Sequence, residues 1–316
     1  MKYTISALLG LLLSSLMLFS CAADSENNTE ASTAETETKE LRIVSLNGTL
    51  TELLYACNLG DKIVGVDVTS TYPDAVKEVA NLGHANKLNA EAILALKPNL
   101  VLIDAEQKDN KILEQIKAAG IQTEVIDIPQ ELDGALLVAK SLETVLDQEI
   151  DTKELEATIA KNKTALSELL AQNEEQKPKV LFIYARGARM MMVAGKNTFA
   201  EKMITLAGGT PIAAEFESFK PLTPEALVEY QPDVVLMFDS GLASMADASK
   251  NVSGEEQLFQ MPGMEQTPAG KNRRVITMEG LYLSGFGPRA STAALELATA
   301  LHTAPLSMAE ETEEVD

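Results

Sequence analysis

Two stretches of this sequence repeat the same order of a helix, a proline and a strand. Residues 91–104 read Glu-Ala-Ile-Leu-Ala-Leu-Lys-Pro-Asn-Leu-Val-Leu-Ile-Asp, and residues 225–239 read Glu-Ala-Leu-Val-Glu-Tyr-Gln-Pro-Asp-Val-Val-Leu-Met-Phe-Asp. Such a repeat indicates one supersecondary unit used twice. Helices alternating with strands of this length predict parallel sheets covered on both faces. We therefore predict an α/β protein with two similar Rossmann-like lobes, at residues 41–146 and 177–302.

The segment between the lobes, residues 147–176, has the periodicity of a helix. Apolar residues recur at Ile150, Leu155, Ile159 and Leu166, and neither glycine nor proline interrupts residues 148–171. A segment of this kind is a stiff helix and not a flexible linker. We expect one long rigid helix to join the lobes and to permit little hinge closure.

The amino terminus predicts export and lipid attachment. Lys2 precedes an apolar run at residues 5–19, which is too short to span a bilayer and fits a signal-peptide core. The sequence Leu-Phe-Ser-Cys at 18–21 resembles a lipoprotein cleavage box, in which Cys21 carries the lipid; an ordinary secretory signal is the alternative. We predict a signal peptide at 1–20, a lipid-anchored disordered tether at 21–40 and an acidic tail at 303–316. The protein would then lie outside the cytoplasm, anchored to a membrane that faces the periplasm or the cell exterior.

Charge and composition exclude several classes of function. A formal charge of −21 repels nucleic acid, and the absence of tryptophan with only 4% aromatic residues argues against a base-stacking surface. Two cysteines and two histidines are too few for a disulfide scaffold or a His-rich metal centre. The sequence contains no nucleophile elbow, zinc-protease motif, phosphate loop or dinucleotide fingerprint. We expect a monomer without catalytic residues that does not bind nucleic acid.

In open parallel sheets, ligands bind beyond the carboxyl ends of the strands. In the first lobe the predicted strands end at residues 47–49, 70–73 and 104–106. In the second lobe they end at residues 186–189, 239–241 and 282–289. These loops are where we expect a ligand.

Several of these segments resemble a known family. The segments are Arg-Ile-Val-Ser-Leu-Asn-Gly-Thr-Leu-Thr-Glu-Leu-Leu at 42–54, Val-Gly-Val-Asp-Val-Thr-Ser-Thr-Tyr-Pro at 64–73, Ala-Gly-Gly at 207–209, Phe-Lys-Pro-Leu-Thr-Pro-Glu-Ala-Leu at 219–227 and Gly-Leu-Tyr-Leu-Ser-Gly-Phe-Gly-Pro-Arg at 280–289. They are similar to the haem-binding substrate-binding proteins of bacterial haem ABC importers, and the resemblance covers residues 41–302. The first segment is shared with relatives that bind cobalamin or siderophores. The Thr-Ser-x-Tyr-Pro and Gly-Phe-Gly-Pro-Arg segments point to the haem branch.

The resemblance implies that Tyr72 is the axial ligand of ferric haem. Phenolate is a hard anionic donor that suits Fe(III), and tyrosine is a known haem ligand. The alternative is a turn aromatic that simply precedes Pro73. Some relatives place a second axial histidine after the strand at 180–184, but this chain has Ala-Arg-Gly at 185–187, which puts such bis-ligation in doubt. The methionines at 190–192 could face haem, although methionine on a strand is more often core filler.

Haem also needs apolar walls and cations for its propionates. The candidates for the pocket and the propionates are Arg186, Arg189, Lys220, Tyr282 and Arg289. Arginine pairs bidentately with carboxylates. For each arginine the alternative is a solvated charge at the rim.

In the wider superfamily, one acidic residue of each lobe docks onto basic residues of the transporter. The resemblance places this role on Glu52 in the first lobe and on Glu201 in the second, each early in the first helix of its lobe. The alternative is that each acid stabilises the helix dipole.

The leading hypothesis is a lipid-anchored receptor that captures ferric haem, as a transported ligand, and hands it to an ABC transporter permease dimer. A second hypothesis keeps the fold but changes the ligand to cobalamin or a ferric siderophore. A metallocofactor-dependent enzyme is the rival from another class, but the sequence lacks the clustered acid–base groups that it would need.

Overall fold

The computed structural model describes residues 40–303. The predicted signal peptide, the lipidation site Cys21, and all but one end residue of both the tether and the acidic tail lie outside the described residues. Within residues 40–303, no helix combines the length and apolar character that crossing a bilayer requires.

The first lobe is built on a five-stranded parallel sheet with strand order β3-β2-β1-β4-β5. Because all five strands are parallel, their carboxyl ends meet at one edge of the sheet, where the predicted ligand loops begin. The strands are β1 (Ile43–Ser45), β2 (Ile63–Val66), β3 (Ala80–Asn81), β4 (Leu100–Asp104) and β5 (Gln122–Ile126).

Helices cover both faces of this sheet, and four lie in the first lobe: α1 (Gly48–Ala56), α2 (Ala90–Ala95), α3 (Ile112–Ala118) and α4 (Gly134–Leu146). Short 3₁₀ turns occupy Gly60–Lys62, Asp74–Glu78, Ala85–Lys87 and Ala105–Gln107. One buried apolar cluster lies on each face of the sheet.

The second lobe repeats this plan with a sheet of order β11-β10-β6-β7-β9, and β8 pairs with β6. Its strands are β6 (Lys179–Ala185), β7 (Met191–Ala194), β8 (Thr210–Pro211), β9 (Phe219–Pro221), β10 (Val234–Phe238) and β11 (Val275–Met278). Its helices are α6 (Phe199–Leu206), α7 (Pro224–Tyr230), α8 (Asp239–Ser244), α9 (Gly254–Phe259), α10 (Pro268–Lys271), α11 (Gly280–Ser284) and α12 (Ala290–His302), with a 3₁₀ turn at Met264–Gln266.

The second sheet departs from the expected parallel arrangement at one side. β7 runs antiparallel to β6 and to β9. The reason is the short connection at residues 186–190, since a few residues can join two antiparallel neighbours, whereas a parallel pair needs a long crossover. The two α/β lobes are confirmed, with sheets that are mainly parallel.

The connecting helix, α5 (Lys153–Gln172), is shorter than the sequence predicts. Asp147 has a left-handed backbone with φ +49° and ends α4, so residues 147–152 are not helical. Leu155 and Ile159 of α5 pack into the core of the first lobe, and Leu166 packs into the core of the second. Each buried side chain contributes about 1.5–3 kcal/mol, so the helix is anchored in both lobes and is rigid.

The repeated unit of the sequence appears as α2 followed by β4, and as α7 followed by β10. Both strands lie inside their sheets, with a neighbour on each side. The repeat therefore places equivalent helices and strands at equivalent positions of the two lobes.

Candidate ligand-binding site

A cleft of about 700 Å³ lies between the two lobes, at the carboxyl ends of the strands of the first lobe. Its volume lies in the range of sites that hold small molecules and cofactors. Residues of the first lobe that line it are Asn47, Gly48, Thr49, Thr69, Asp104, Ala105, Glu106, Asp127, Ile128 and Gln130. The second lobe contributes Asn197, Thr198, Phe199, Ser218, Phe219, Leu281, Ser284, Gly285 and Phe286.

The predicted loops at 47–49 and 104–106 line this cleft, but the predicted ligand residues do not. Tyr72 lies three residues beyond Thr69, and β2, which precedes both, is next to the edge strand β3. Tyr72 is therefore at one end of the row of strand exits, and Asp127 after β5 is at the other.

Asn47 fixes the first of these exits. Its side-chain oxygen accepts hydrogen bonds from the backbone N–H groups of Thr49 and Leu50, and so caps α1. Its amide nitrogen donates to the Asp104 carboxylate at 2.9 Å. One residue thus ties the end of β1 to the end of β4.

The loop that carries Tyr72 is held by a buried acid, Asp67. The hydroxyls of Thr69 and Ser70 donate to the Asp67 carboxylate at 2.8 and 3.0 Å, and Thr69 Oγ1 also accepts from the Gly48 N–H at 2.9 Å. Burial raises the pKa of Asp67, against the opposing effect of these hydrogen bonds. The network fastens the loop to the start of α1, so the approach to Tyr72 is fixed.

Tyr72 is 44% exposed, and one face of its ring is covered by Arg289 of the second lobe. The guanidinium carbon of Arg289 lies 3.8 Å from the centre of the Tyr72 ring and 4.9 Å from the centre of the Tyr282 ring. This is a cation–π arrangement, and it leaves Tyr72 accessible to a ligand.

Arg289 is not a free cation, because Glu52 binds it from the other lobe. Arg289 Nε donates to Glu52 Oε1 at 2.9 Å, and Nη2 donates to Oε2 at 2.8 Å. Burial lowers the pKa of Arg289, but the hydrogen bonds and charge of Glu52 outweigh it, and the pKa is raised overall. A propionate at Arg289 would have to compete with a bidentate carboxylate already in place.

Two glycines of the Gly-Phe-Gly-Pro-Arg segment let the lobes approach this closely. A Cβ atom on Gly285 would lie 2.8 Å from Thr49 Oγ1, and one on Gly287 would lie 3.1 Å from the Thr49 methyl group. Thr49 Oγ1 donates to the Gly285 carbonyl at 2.7 Å. The segment that suggested the haem branch is therefore where the second lobe contacts α1.

The wall of the second lobe is aromatic. Phe199 stacks on Phe238 with ring centres 5.6 Å apart, and Phe219 and Tyr184 lie at 6.3 and 6.2 Å from these two rings respectively. Phe199 and Phe219 line the cleft. Phe238 and Tyr184 pack behind them against the core of the second lobe.

Arg186 lies at the end of this wall, next to Tyr184. Its Nε donates to Tyr184 Oη at 2.6 Å, and its guanidinium carbon is 5.6 Å from the centre of that ring. Arg186 is exposed and is already oriented by the tyrosine. Arg189 is exposed in the turn between β6 and β7.

Lys220 and Tyr282 do not line the cleft. Lys220 Nζ lies 4.4 Å from the centre of the Phe216 ring. Because side chains alternate along a strand, Lys220 points to the opposite face of the sheet from Phe219. Tyr282 is hydrogen-bonded to Glu296 of α12, and burial followed by this hydrogen bond raises its pKa.

The two predicted docking acids have other partners. Glu52 is only 4% exposed and both of its oxygens are bound by Arg289, so its burial does not fit contact with a transporter. Glu201 accepts from the Asn197 N–H at 2.7 Å, and Thr198 Oγ1 accepts from the Glu201 N–H. Both contacts stay within the start of α6, where Thr198 is the N-cap.

The repeated acids, Glu91 and Glu225, were not assigned a role by the sequence reasoning. Both are exposed in the first turn of their helices, α2 and α7, and neither forms an ion pair among residues 40–303. The internal repeat of the sequence places them at equivalent positions of the two lobes.

Other metal chemistry finds no support in the part of the chain that the structure describes. No group of three or more His, Cys, Asp or Glu side chains could hold a metal ion there. Cys57 is a buried free thiol directly after α1, and burial raises the pKa of the thiol to about 11. It is a small residue of the first-lobe core.

Comparison with known proteins finds binding proteins whose ligands differ. A family model described as periplasmic binding protein matches residues 43–281. The periplasmic heme-binding protein RhuT from Roseiflexus sp. RS-1 is 37% identical with a TM-score of 0.72, over 83% of this chain and 98% of that one. The ABC transporter substrate-binding lipoprotein YvrC of Bacillus subtilis is 28% identical over 83% of this chain and 80% of its own length. A vitamin B12-binding protein of Yersinia pestis is 27% identical over 85% of this chain and 89% of its own length.

Proposed function

The chain belongs to the periplasmic binding protein family, and from that premise we propose that it captures ferric haem outside the cytoplasm and delivers it to an ABC transporter permease. The observation that carries the proposal is the position of Tyr72. It lies in the loop that follows β2, accessible and covered on one face by Arg289, and Thr69 of the same loop lines the cleft whose opposite wall carries Phe199 and Phe219. A planar apolar macrocycle with an iron at its centre fits both features.

In this proposal Tyr72 binds the iron through its phenolate oxygen. Fe(III) favours a hard anionic donor, so reduction to Fe(II) weakens the complex. The hydrogen bonds of Asp67 to Thr69 and Ser70 hold the loop, and Arg289 holds the ring. A ligand placed this rigidly needs little reorganisation when the iron arrives.

The charges around the cleft set the orientation of the haem. Asp104, Glu106 and Asp127 line the first-lobe side of the cleft, where they repel propionates. Arg186, oriented by Tyr184 at the end of the aromatic wall, is the propionate partner that the contacts favour. Arg289 instead serves Tyr72.

Cobalamin is the second candidate ligand, and the similarity to a vitamin B12-binding protein favours it. One experiment separates the two: purified apoprotein is titrated with hemin and, separately, with cyanocobalamin. Saturable growth of a Soret band and a phenolate-to-iron charge-transfer band supports haem. Binding of cyanocobalamin without hemin binding refutes the haem proposal.

The role of Tyr72 is tested by removing one hydroxyl at a time. Tyr72→Phe should lose the charge-transfer band and most of the hemin affinity. Tyr230→Phe is the matched control, since Tyr230 lies on α7 and its hydroxyl bonds Glu215. If Tyr72→Phe retains the wild-type spectrum and affinity, Tyr72 is not the iron ligand.

For permease docking we propose Glu91 and Glu225 in place of Glu52 and Glu201. The internal repeat places one exposed acid at an equivalent position of each lobe, which suits a dimeric partner. Charge reversal of both to Lys should abolish haem uptake by cells and leave hemin binding unchanged. Retained uptake in that variant, with loss in Glu201→Lys, would restore the sequence-based assignment.

Membrane attachment remains a proposal at Cys21. Cys21→Ala should lose incorporation of a fatty-acid probe, whereas Cys57→Ala should keep it, because Cys57 is buried in the fold. Labelling of the Cys21→Ala protein would show that this cysteine does not carry the lipid.

A further inference from the structure

The ion pair of Glu52 and Arg289 crosses from one lobe to the other. Glu52 lies on α1, Arg289 directly precedes α12, and the two residues are 237 positions apart in the chain. Glu52 is among the few charged side chains buried in the described residues. A buried carboxylate is costly to leave unpaired, so the pair holds Arg289 in one position.

The bidentate contact fixes the plane of the guanidinium as well as its place. A carboxylate that accepts from both Nε and Nη2 lies in the plane of the guanidinium group. The faces of that plane remain for packing, and the Tyr72 ring lies 3.8 Å from the guanidinium carbon. Glu52 therefore determines where the cation stands against Tyr72, without touching Tyr72 itself.

The surroundings offer Arg289 no equivalent second partner. Glu279 is the other nearby acid, with Oε2 at 3.9 Å from Arg289 Nη2. Its two oxygens already accept from the N–H groups of Leu281 and Tyr282 at the start of α11. It is also about half exposed, which weakens its attraction for the cation.

From this geometry we infer that Glu52 is a positioning residue for the iron-binding Tyr72, acting through Arg289 across the lobe boundary. The inference rests on the proposed function. Because the pair joins the two lobes, any motion that separates them also withdraws the cation from the Tyr72 ring.

The test compares two glutamates at matched positions. Glu52→Gln keeps the shape of the side chain and removes its charge. Glu201→Gln does the same at the start of the first helix of the second lobe, where the carboxylate bonds only its own helix start. Each protein is loaded with hemin, and the rate of haem transfer to excess apomyoglobin is measured together with the charge-transfer band.

We expect Glu52→Gln to release haem about tenfold faster than wild type and to shift the charge-transfer band. Glu201→Gln should match wild type in both measurements. The same Glu52 substitution made in a Tyr72→Phe background should leave the residual hemin affinity of that background unchanged. That non-additivity distinguishes a role through Tyr72 from a general loss of structure.

If Glu52→Gln releases haem at the wild-type rate and with the wild-type spectrum, the inference is wrong. The haem proposal would remain intact, because it rests on hemin binding by the wild-type protein, which is measured first. An equal effect of Glu52→Gln with and without Tyr72 would also overturn it. Arg289→Lys is measured in parallel and guards against misfolding. It keeps the charge and loses the bidentate plane, and the inference requires it to release haem faster as well.

Discussion

The two ends of the interface between the lobes are built in opposite ways. At the Tyr72 end, Glu52 binds Arg289, Thr49 binds the Gly285 carbonyl, and Arg289 covers Tyr72. At the other end, Asp104, Glu106 and Asp127 line open space opposite Asn197 and Ser218. Among the hydrogen bonds of residues 40–303, none joins residues 104–106 or 127–130 to the second lobe. We call these the closed end and the open end.

The two ends therefore affect a bound ligand in different ways. The closed end is preorganised, because buried hydrogen bonds and an ion pair fix its side chains before any ligand arrives. The open end is exposed and acidic, and it can only influence a ligand through charge. A ligand should therefore be held at the closed end and merely oriented by the open end.

The largest expected effect comes from breaking the closed end at Arg289. Arg289→Ala leaves Glu52 buried without a partner, a change that costs 3–5 kcal/mol in fully buried pairs. Because a quarter of the Arg289 side chain is exposed, we expect a loss of about 2–3 kcal/mol in the free energy of unfolding. The melting temperature should fall by about 5–10 °C, measured by circular dichroism.

The control for this prediction is an exposed ion pair, Lys163 with Asp133, whose side chains are 46% and 42% exposed. Lys163→Ala should cost less than about 1 kcal/mol. Similar costs for Arg289→Ala and Lys163→Ala would mean that the closed end is no more tightly held than the protein surface.

A smaller effect is expected from a single methyl group at Gly285, the residue that caps the end of α11. A Cβ on Gly285 would lie 2.6 Å from the Leu281 carbonyl oxygen and 2.8 Å from Thr49 Oγ1, so Gly285→Ala must push α1 and α11 apart. We expect a loss of about 1–3 kcal/mol by urea unfolding. The Cβ of Gly280→Ala, in the same helix, meets nothing within 4 Å, and this variant should be neutral. A neutral Gly285→Ala would show that the lobes are not in close contact here.

Substitutions at the open end should change hemin affinity through charge alone. Glu106→Gln with Asp127→Asn removes two negative charges from the cleft, and we expect hemin affinity to rise about two- to fivefold at low salt. The gain should shrink at high salt, because salt screens the repulsion between these carboxylates and the anionic ligand. The control neutralises Glu154 and Glu168, which are exposed on α5. Equal gains in both variants would indicate an effect of net charge alone, and the open end would then have no role in orientation.

Much of the architecture could be predicted from the sequence, and the closed end could not. The internal repeat predicted two lobes, because each repeated unit has the same pattern of buried apolar residues. The helical periodicity of the connecting segment predicted α5. The pair of Glu52 and Arg289 joins residues far apart in the chain, and a single sequence contains no signal of such a contact. Both residues were therefore given separate roles, in docking and in propionate binding.

Local pattern also misled the assignment of other residues. Glu52 and Glu201 occupy matching places in the sequence of their lobes, yet one crosses the interface and the other caps its own helix. Lys220 was a candidate for the pocket or the propionates. The short strand β9 was not predicted, and strand alternation turns Lys220 to the other face.

The smallest expected effect concerns His302, which lies away from both ends and provides a background for them. Neither ring nitrogen of His302 has a hydrogen-bond partner among the described residues, and Glu174 and Lys177 line the small cavity beside it. Burial lowers the pKa of His302 and outweighs the opposing effect of the neighbouring Ala207 backbone, and the charge of Arg274 lowers the pKa further. The unfolded chain binds a proton near pH 6.5, so protonation favours unfolding and stability falls as the pH drops from about 7 to 5.

His302→Gln should flatten this part of the stability curve, measured by urea unfolding at each pH, and His84→Gln should not. His84 is the only other histidine of the chain and is exposed, which makes it the matched control. When Arg289→Ala is made in the His302→Gln protein, its loss of stability measures the closed end without the pH dependence that His302 contributes. An unchanged slope in His302→Gln would mean that other groups govern the pH dependence, since a histidine that is neutral in the fold and charged when unfolded must contribute to it.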